Sequence, residues 1–247
     1  MPDSGSARAV DGARLALTTL TVLPLRPGRV DRGTAAVAMS LAPAVGALLG
    51  LVLAGILALL ELAGAPHLVA AGVTVAAGAL LTRGLHLDGL ADTVDALGSY
   101  RRGDEALEIM KKPDIGPFGV AAVTLALLIQ TAAVAALSPW ALVPAWAAGR
   151  LGVTLACRRG VPAARETGLG ALVAGTVPTP VVVLLAVAVG AGAARWWPGP
   201  IAVAAAVTAA VLLIRHATRR FGGITGDVIG AATELATTVT LIVLTLG

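Results

Sequence analysis

Cysteine, aromatic residues and charge are all scarce in this chain, and each scarcity excludes something. A single cysteine, Cys157, rules out a disulfide framework and any cysteine-rich zinc or iron–sulfur centre. Charged residues make up only 13% of the 247 positions, about half the share in a soluble domain, so a soluble globular fold is excluded. With 57% hydrophobic residues and a mean hydropathy of +0.89, disorder is excluded as well. A net charge of +4 with only 3% aromatics does not read as a nucleic-acid surface, because the cations sit in short loops between apolar runs.

What is present is long apolar sequence. Seven runs approach the ~20 residues that cross a bilayer as helix: Thr34 to Leu62, Leu68 to Thr82, Phe118 to Leu137, Trp140 to Cys157, Ala171 to Ala194, Pro200 to Ile214 and Val228 to Leu246. The expected fold is all-α, a polytopic membrane helix bundle of about seven crossings (six to eight). It forms one integral membrane domain over residues 1–247, with residues 83–117 an acidic cytoplasmic or interfacial segment. Leu15 to Leu25 is interrupted by Pro24 and is not followed by a small-x-small cleavage site, so it reads as a retained surface segment. Seventeen of the 18 Lys and Arg residues fall on one side of this topology and only Arg195 on the other, which places the N-terminus in the cytoplasm. Trp140, Trp196 and Trp197 fall at the opposite interface, where indoles favour the headgroup layer.

Acidic residues number 14, and they cluster. In GLHLDGLADTVDALG, residues 84–98, Asp88, Asp92 and Asp95 are spaced i, i+4, i+7, so all three carboxylates share one helix face. Like charges so placed repel unless a cation neutralises them. Hard oxygen ligands without cysteine favour magnesium, and a solvated acidic face is the plainer alternative. His86 is a candidate substrate or phosphate contact.

A second constellation is FGGITGDVIGAATEL, residues 221–235. Gly222, Gly223 and Gly226 let backbone approach a ligand just before a helix N-terminus, a favourable place for phosphate beside Thr225. Asp227 and Glu234 stand i, i+7 on one face, and a carboxylate inside a span is a functional candidate. The alternative is structural, with Asp227 as the helix N-cap and Glu234 paired with Arg150. Lys111, Lys112 and Arg165 supply cations suited to an anionic substrate.

These segments resemble the cobalamin synthase family, the adenosylcobinamide-GDP ribazoletransferases. HLDGLADTVD (86–95), LEIMK followed by IG and FG (107–119), ARETGLG (164–170) and GGITGDVIGAATEL (222–235) match the family's signatures in the family's order. LTTLTVLP near 17–24 and PAVG at 43–46 are weaker matches. The chain departs from the pattern at Lys112 and Asp114, where the usual acidic and basic residues are exchanged, and at Ala96, where glycine is usual.

The resemblance implies a membrane enzyme that joins α-ribazole or its 5′-phosphate to adenosylcobinamide-GDP, releasing GMP. It would work on the cytoplasmic face of a bacterial inner membrane. A ribose hydroxyl would attack a pyrophosphate phosphorus. Asp88 and Asp92 would then hold magnesium, and Asp95 or Asp227 would be a further ligand or general base. Lys111 and Arg165 would hold phosphates, and Thr225 with the glycine amides would line the nucleotide end. CDP-alcohol phosphotransferases also use clustered aspartates, but their signature fails here because Asp92 follows Ala91. A transporter relaying protons through Glu234 is the alternative from another class.

Overall fold

Inside hydrocarbon every backbone amide and carbonyl must find its partner within the protein, so apolar runs of this length become helices. The computed structural model describes residues 4–26 and 28–247, among which there are eleven α-helices and no strand. They are α1 (Ser4–Leu20), α2 (Arg32–Leu62), α3 (His67–Leu81), α4 (Leu85–Gly98), α5 (Gly103–Ile109) and α6 (Pro117–Ala135). After a 3-10 turn at Pro139–Ala141 come α7 (Leu142–Ala156), α8 (Leu169–Val173), α9 (Thr179–Ala193), α10 (Gly199–Phe221) and α11 (Gly226–Leu244).

Each of the seven expected segments contains a helix: α2, α3, α6, α7, α9, α10 and α11. By length and apolarity α2, α6, α10 and α11 can each cross a membrane, and α3 with α4 passes only as a pair bent by 87°. At 1.5 Å per residue the 15 residues of α3, α7 or α9 reach ~22 Å, short of the ~30 Å hydrocarbon core. The protein is therefore a polytopic helical membrane protein with four crossings by that measure, or five with the bent pair.

Two boundaries differ from the sequence expectation. The fifth segment begins at Thr179 rather than Ala171, because Gly175 turns at φ +70° and Val177 pairs its backbone with Cys157 and Arg159. Helix α10 runs on to Phe221, so Arg215, Arg219 and Arg220 stand on its last turns instead of in a loop. Arg150 lies in the middle of α7 and is buried.

Helix α2 begins at a capping box: Asp31 accepts from the Thr34 amide at 2.8 Å, and Thr34 Oγ1 accepts from the Asp31 amide at 2.9 Å. Pro43 interrupts α2 and cannot donate to the carbonyl four residues back, that of Met39. Thr154 of α7 donates to that carbonyl at 2.8 Å, closing the gap with a neighbouring helix. Gly46 and Gly50 bring α2 against the α7 backbone, and Gly149 and Gly152 of α7 do the same against α11, the small-residue packing that lipid favours.

One end of the bundle collects the functional motifs. There Arg32 donates to the carbonyls of Ala171 and Ala174, Arg165 to that of Leu107, Arg83 to that of Thr18 and Arg220 to that of Arg101. The start of α2, the ends of α3, α7 and α10, and the start of α11 thus meet around α4 and α5. At the other end Glu61 meets His67 at 3.2 Å, and Trp140 and Trp197 are exposed.

Candidate active site

Arg83 and Gly84, both at positive φ with Gly84 the N-cap of α4, turn the chain by 87° between α3 and α4. Asp88 on α4 is exposed, while Asp92 and Asp95 are half-buried. Helix α4 crosses α11 through glycines on both sides. A methyl group at Gly89 would meet the Asp227 carbonyl oxygen at 2.7 Å, and one at Gly230 would meet the His86 backbone at 3.2 Å. This crossing brings Asp92 near enough to Asp227 to feel its charge, so the motifs at 84–98 and 221–235 adjoin. Burial, followed by the charges of Asp88, Asp227 and Asp95, pushes the Asp92 carboxyl up to about 6.

Asp95 has a different environment from Asp88 and Asp92. Its two oxygens accept from the amides of Gly116, at 2.7 Å, and Gly119, at 2.9 Å, which are free donors at the start of α6. It therefore ties α4 to the N-terminus of α6. Between them lies a cavity of about 240 Å³ lined by Asp92, Asp95, Ser99, Lys112, Asp114 and Phe118, among others. Lys111, expected to hold phosphate, pairs instead with Glu108, and that ammonium holds the Glu108 carboxyl below its usual range. Lys112 is the cation that lines the cavity.

On the far side of Asp227, Gly222 ends α10 at φ +84° and Gly223 lies against the backbone of Ala163 and Ala164. Ile224 then exchanges backbone hydrogen bonds with Pro162 and Ala164, both at 2.9 Å, which docks the 164–170 segment on the glycine turn. Thr225, not Asp227, is the N-cap of α11. Its hydroxyl accepts from the Val228 amide at 3.2 Å and donates to Asp227 Oδ2 at 3.1 Å. A second cavity, about 220 Å³, is lined by Arg165, Thr167, Gly168, Thr225, Gly226 and Asp227. Arg165 is held by the Leu107 carbonyl at 2.7 Å, and its Nε has no partner. A third cavity, about 230 Å³, reaches Asp227 from the side of His86 and Leu169, and His86 Nδ1 is buried there without a partner.

Glu234 lies apart from these cavities. It is buried in the bundle, where Gln130 donates to Glu234 Oε2 at 2.9 Å and to Thr238 Oγ1 at 3.0 Å. Glu234, Gln130 and Arg150 line a small void of about 20 Å³, and no salt bridge joins Arg150 to Glu234 among the described residues.

For a metal the donor chemistry is suitable: hard carboxylate oxygens, in mutual repulsion that a cation would relieve. Among the described residues no three Asp, Glu, His or Cys side chains already converge on an ion position. Ser99, Phe118 and Thr167 line the cavities without having been singled out in the sequence. Phe118 and Thr167 lie inside the 107–119 and 164–170 family motifs, which was the signal that could have found them.

A family model described as Cobalamin-5-phosphate synthase matches residues 12–245, which include every element of this site. The adenosylcobinamide-GDP ribazoletransferase of Frankia casuarinae is 44% identical over 94% of this chain and 93% of its own length. Those of Nocardioides sp. and Pseudomonas syringae pv. syringae are 41% and 37% identical, each over 94% of this chain and over 97% and 98% of their own lengths. No solved structure matches. The match runs from α1 to the end of α11 and takes in both α4 and α11, so the chain belongs to the cobalamin-5-phosphate synthase family.

Proposed function

We propose that this protein is an adenosylcobinamide-GDP ribazoletransferase: it joins α-ribazole or its 5′-phosphate to adenosylcobinamide-GDP, the final step in assembling the cobalamin nucleotide loop. A ribose hydroxyl oxygen bonds to the phosphorus that carries the cobinamide, the P–O bond of the pyrophosphate bridge breaks, and GMP leaves. The observation that carries this reading is that the α4–α11 crossing brings Asp92 and Asp227 near each other while each lines its own cavity. Two substrates must converge on one phosphorus, and here two recesses are lined by two neighbouring carboxylates.

Arg165, with Thr225 and the Gly226 backbone, binds pyrophosphate oxygens, and Lys112 adds positive charge at the other cavity. Asp227, oriented by the Thr225 hydroxyl, takes the hydroxyl proton. Asp95 fixes α4 against α6, and His86 closes the inner wall behind Asp227. Asp88 and Asp92 would hold magnesium, with Asp95 or Asp227 as a further candidate ligand. The ion would supply neutralising charge to the pyrophosphate. Glu234 contributes from within α11, by keeping Asp227's helix seated. The motif-bearing end faces the cytoplasm of a bacterial inner membrane, in line with the concentration of arginine and lysine there.

The test is purified protein in detergent or nanodiscs with adenosylcobinamide-GDP, α-ribazole 5′-phosphate and magnesium. GMP and a cobalamin product are expected, and chelation with EDTA should stop both. No GMP from folded protein would contradict the activity, and undiminished GMP in EDTA would contradict the metal.

A further inference from the structure

The two cavities lined by Asp92 and by Asp227 differ in chemistry. The Arg165 cavity offers a guanidinium, the Thr167 and Thr225 hydroxyls and glycine backbone, a lining for a polyanion. The Asp92 cavity sets three carboxylates, Asp92, Asp95 and Asp114, against one ammonium, Lys112, and completes its wall with Ile109, Pro117 and the ring of Phe118. That lining disfavours a pyrophosphate and suits a flat, uncharged ring bearing hydroxyl donors. At about 240 Å³ it lies just below the ~300–1,000 Å³ of ordinary small-molecule pockets, room for a nucleoside base and not for a corrinoid macrocycle.

Phe118 is placed with unusual care for an exposed side chain. It is 52% exposed, in a chain with only two phenylalanines and one tyrosine. The amides of Gly116 and Gly119, on either side of it, are both bound by Asp95. Its ring lies where a side chain on Gly98 would stand: a methyl group there would come within 2.6 Å of Phe118 Cδ2. The ring is thus held by α4 on one edge and by a clamped helix start below. A ring already fixed in position loses little freedom when a flat ligand covers it.

We infer that Phe118 is the platform on which the heterocyclic base of the ribazole stacks, its ribose hydroxyls directed toward Asp92, while the GDP end of the other substrate occupies the Arg165 cavity. This assignment rests on the ribazole-transfer reading above. It makes Phe118 a specificity-determining residue for the acceptor alone.

The experiment compares wild type, Phe118→Ala, Phe118→Leu and Phe118→Tyr for GMP release, with each substrate varied in turn, and for thermal stabilisation by α-ribazole alone. Base–aromatic stacking is worth ~1–3 kcal/mol per base, so Phe118→Ala should raise KM for the ribazole about 5- to 150-fold. KM for adenosylcobinamide-GDP should not move. Phe118→Leu, which keeps bulk without the ring and guards against a folding defect, should show the same one-sided rise, and Phe118→Tyr should retain the lower KM. α-Ribazole should raise the melting temperature of wild type and Phe118→Tyr, and not that of Phe118→Ala. An unchanged ribazole KM in both Phe118→Ala and Phe118→Leu overturns the inference, as does a rise confined to the corrinoid substrate. If wild type itself releases no GMP, the transfer reading falls and takes this inference with it; a working wild type with insensitive variants sinks the stacking alone.

Discussion

The three aspartates of α4 share a face, yet the structure separates them into different roles, and substitution should show this. Asp95 accepts from the amides of Gly116 and Gly119, both otherwise free donors at the start of α6. Two charge-assisted hydrogen bonds at ~1.5–3 kcal/mol each set a ceiling of ~3–6 kcal/mol for Asp95→Ala. Asp95 is half-buried, so water can reach the freed amides, and the loss should fall toward the ~0.5–2 kcal/mol of an ordinary N-cap. We expect ~2–3 kcal/mol, or on the order of 5–10 °C in Tm for a chain of this size. Asp95→Asn keeps one good acceptor and should lose about half of that.

Asp92→Asn should behave in the opposite way. Its carboxylate is disfavoured by burial and by Asp88, Asp227 and Asp95, so neutralising it relieves repulsion and leaves Tm unchanged or higher. Turnover should nonetheless collapse. The assay is a fluorescence-monitored melt in detergent beside GMP release, on the same preparations. Equal melting temperatures for Asp95→Ala and wild type, or an Asp92→Asn variant as destabilised as Asp95→Ala, would refute the division of roles.

Other consequences are equally direct. Gly89→Val should part α4 from α11, since even a methyl group there comes within 2.7 Å of the Asp227 carbonyl oxygen, and GMP release should fall far more than expression; wild-type activity would place the site elsewhere. Arg150→Gln should remove a buried cation that faces Glu234 across a small void and lower Tm, with partial recovery when Glu234→Gln is added. For topology, Cys157 is fully buried and is first replaced by serine. An impermeant thiol reagent on intact cells should then label a Leu62→Cys variant, 84% exposed at one end, and spare Tyr100→Cys, 85% exposed at the other. The reverse pattern would invert the orientation.

Much of the bundle was legible because a bilayer leaves an apolar run few choices. The helices α2, α6 and α11 fall within two or three residues of their apolar runs for that reason. Residues 171–178 were not legible, because ALVAGTVP is as apolar as a span. Its break depends on the φ of Gly175 and on backbone pairing with Cys157, which composition does not record. The union of the two acidic motifs was an inference from side, whereas the structure supplies its cause in the facing glycines Gly89 and Gly230. The i, i+4, i+7 spacing reported that Asp95 shares a face with Asp88 and Asp92. It could not report that the start of α6 arrives there and occupies it. Arg150 was legible as lying within the Trp140–Cys157 run, but that it is buried and forms no salt bridge with Glu234 depends on packing. Lys112 faces the Asp92 cavity because α5 ends at Ile109 and the following turn presents it, a matter of turn geometry and not of residue type.

The central claim is that α4 and α11 build one reaction site. A double-mutant cycle on GMP release tests it most directly, using wild type, Asp92→Asn, Asp227→Asn and the double variant, each checked for an unchanged melting profile. If both carboxylates act on one pyrophosphate, the double variant should be little worse than the poorer single one. Losses that multiply would show that Asp92 and Asp227 act independently, and would contradict the single site.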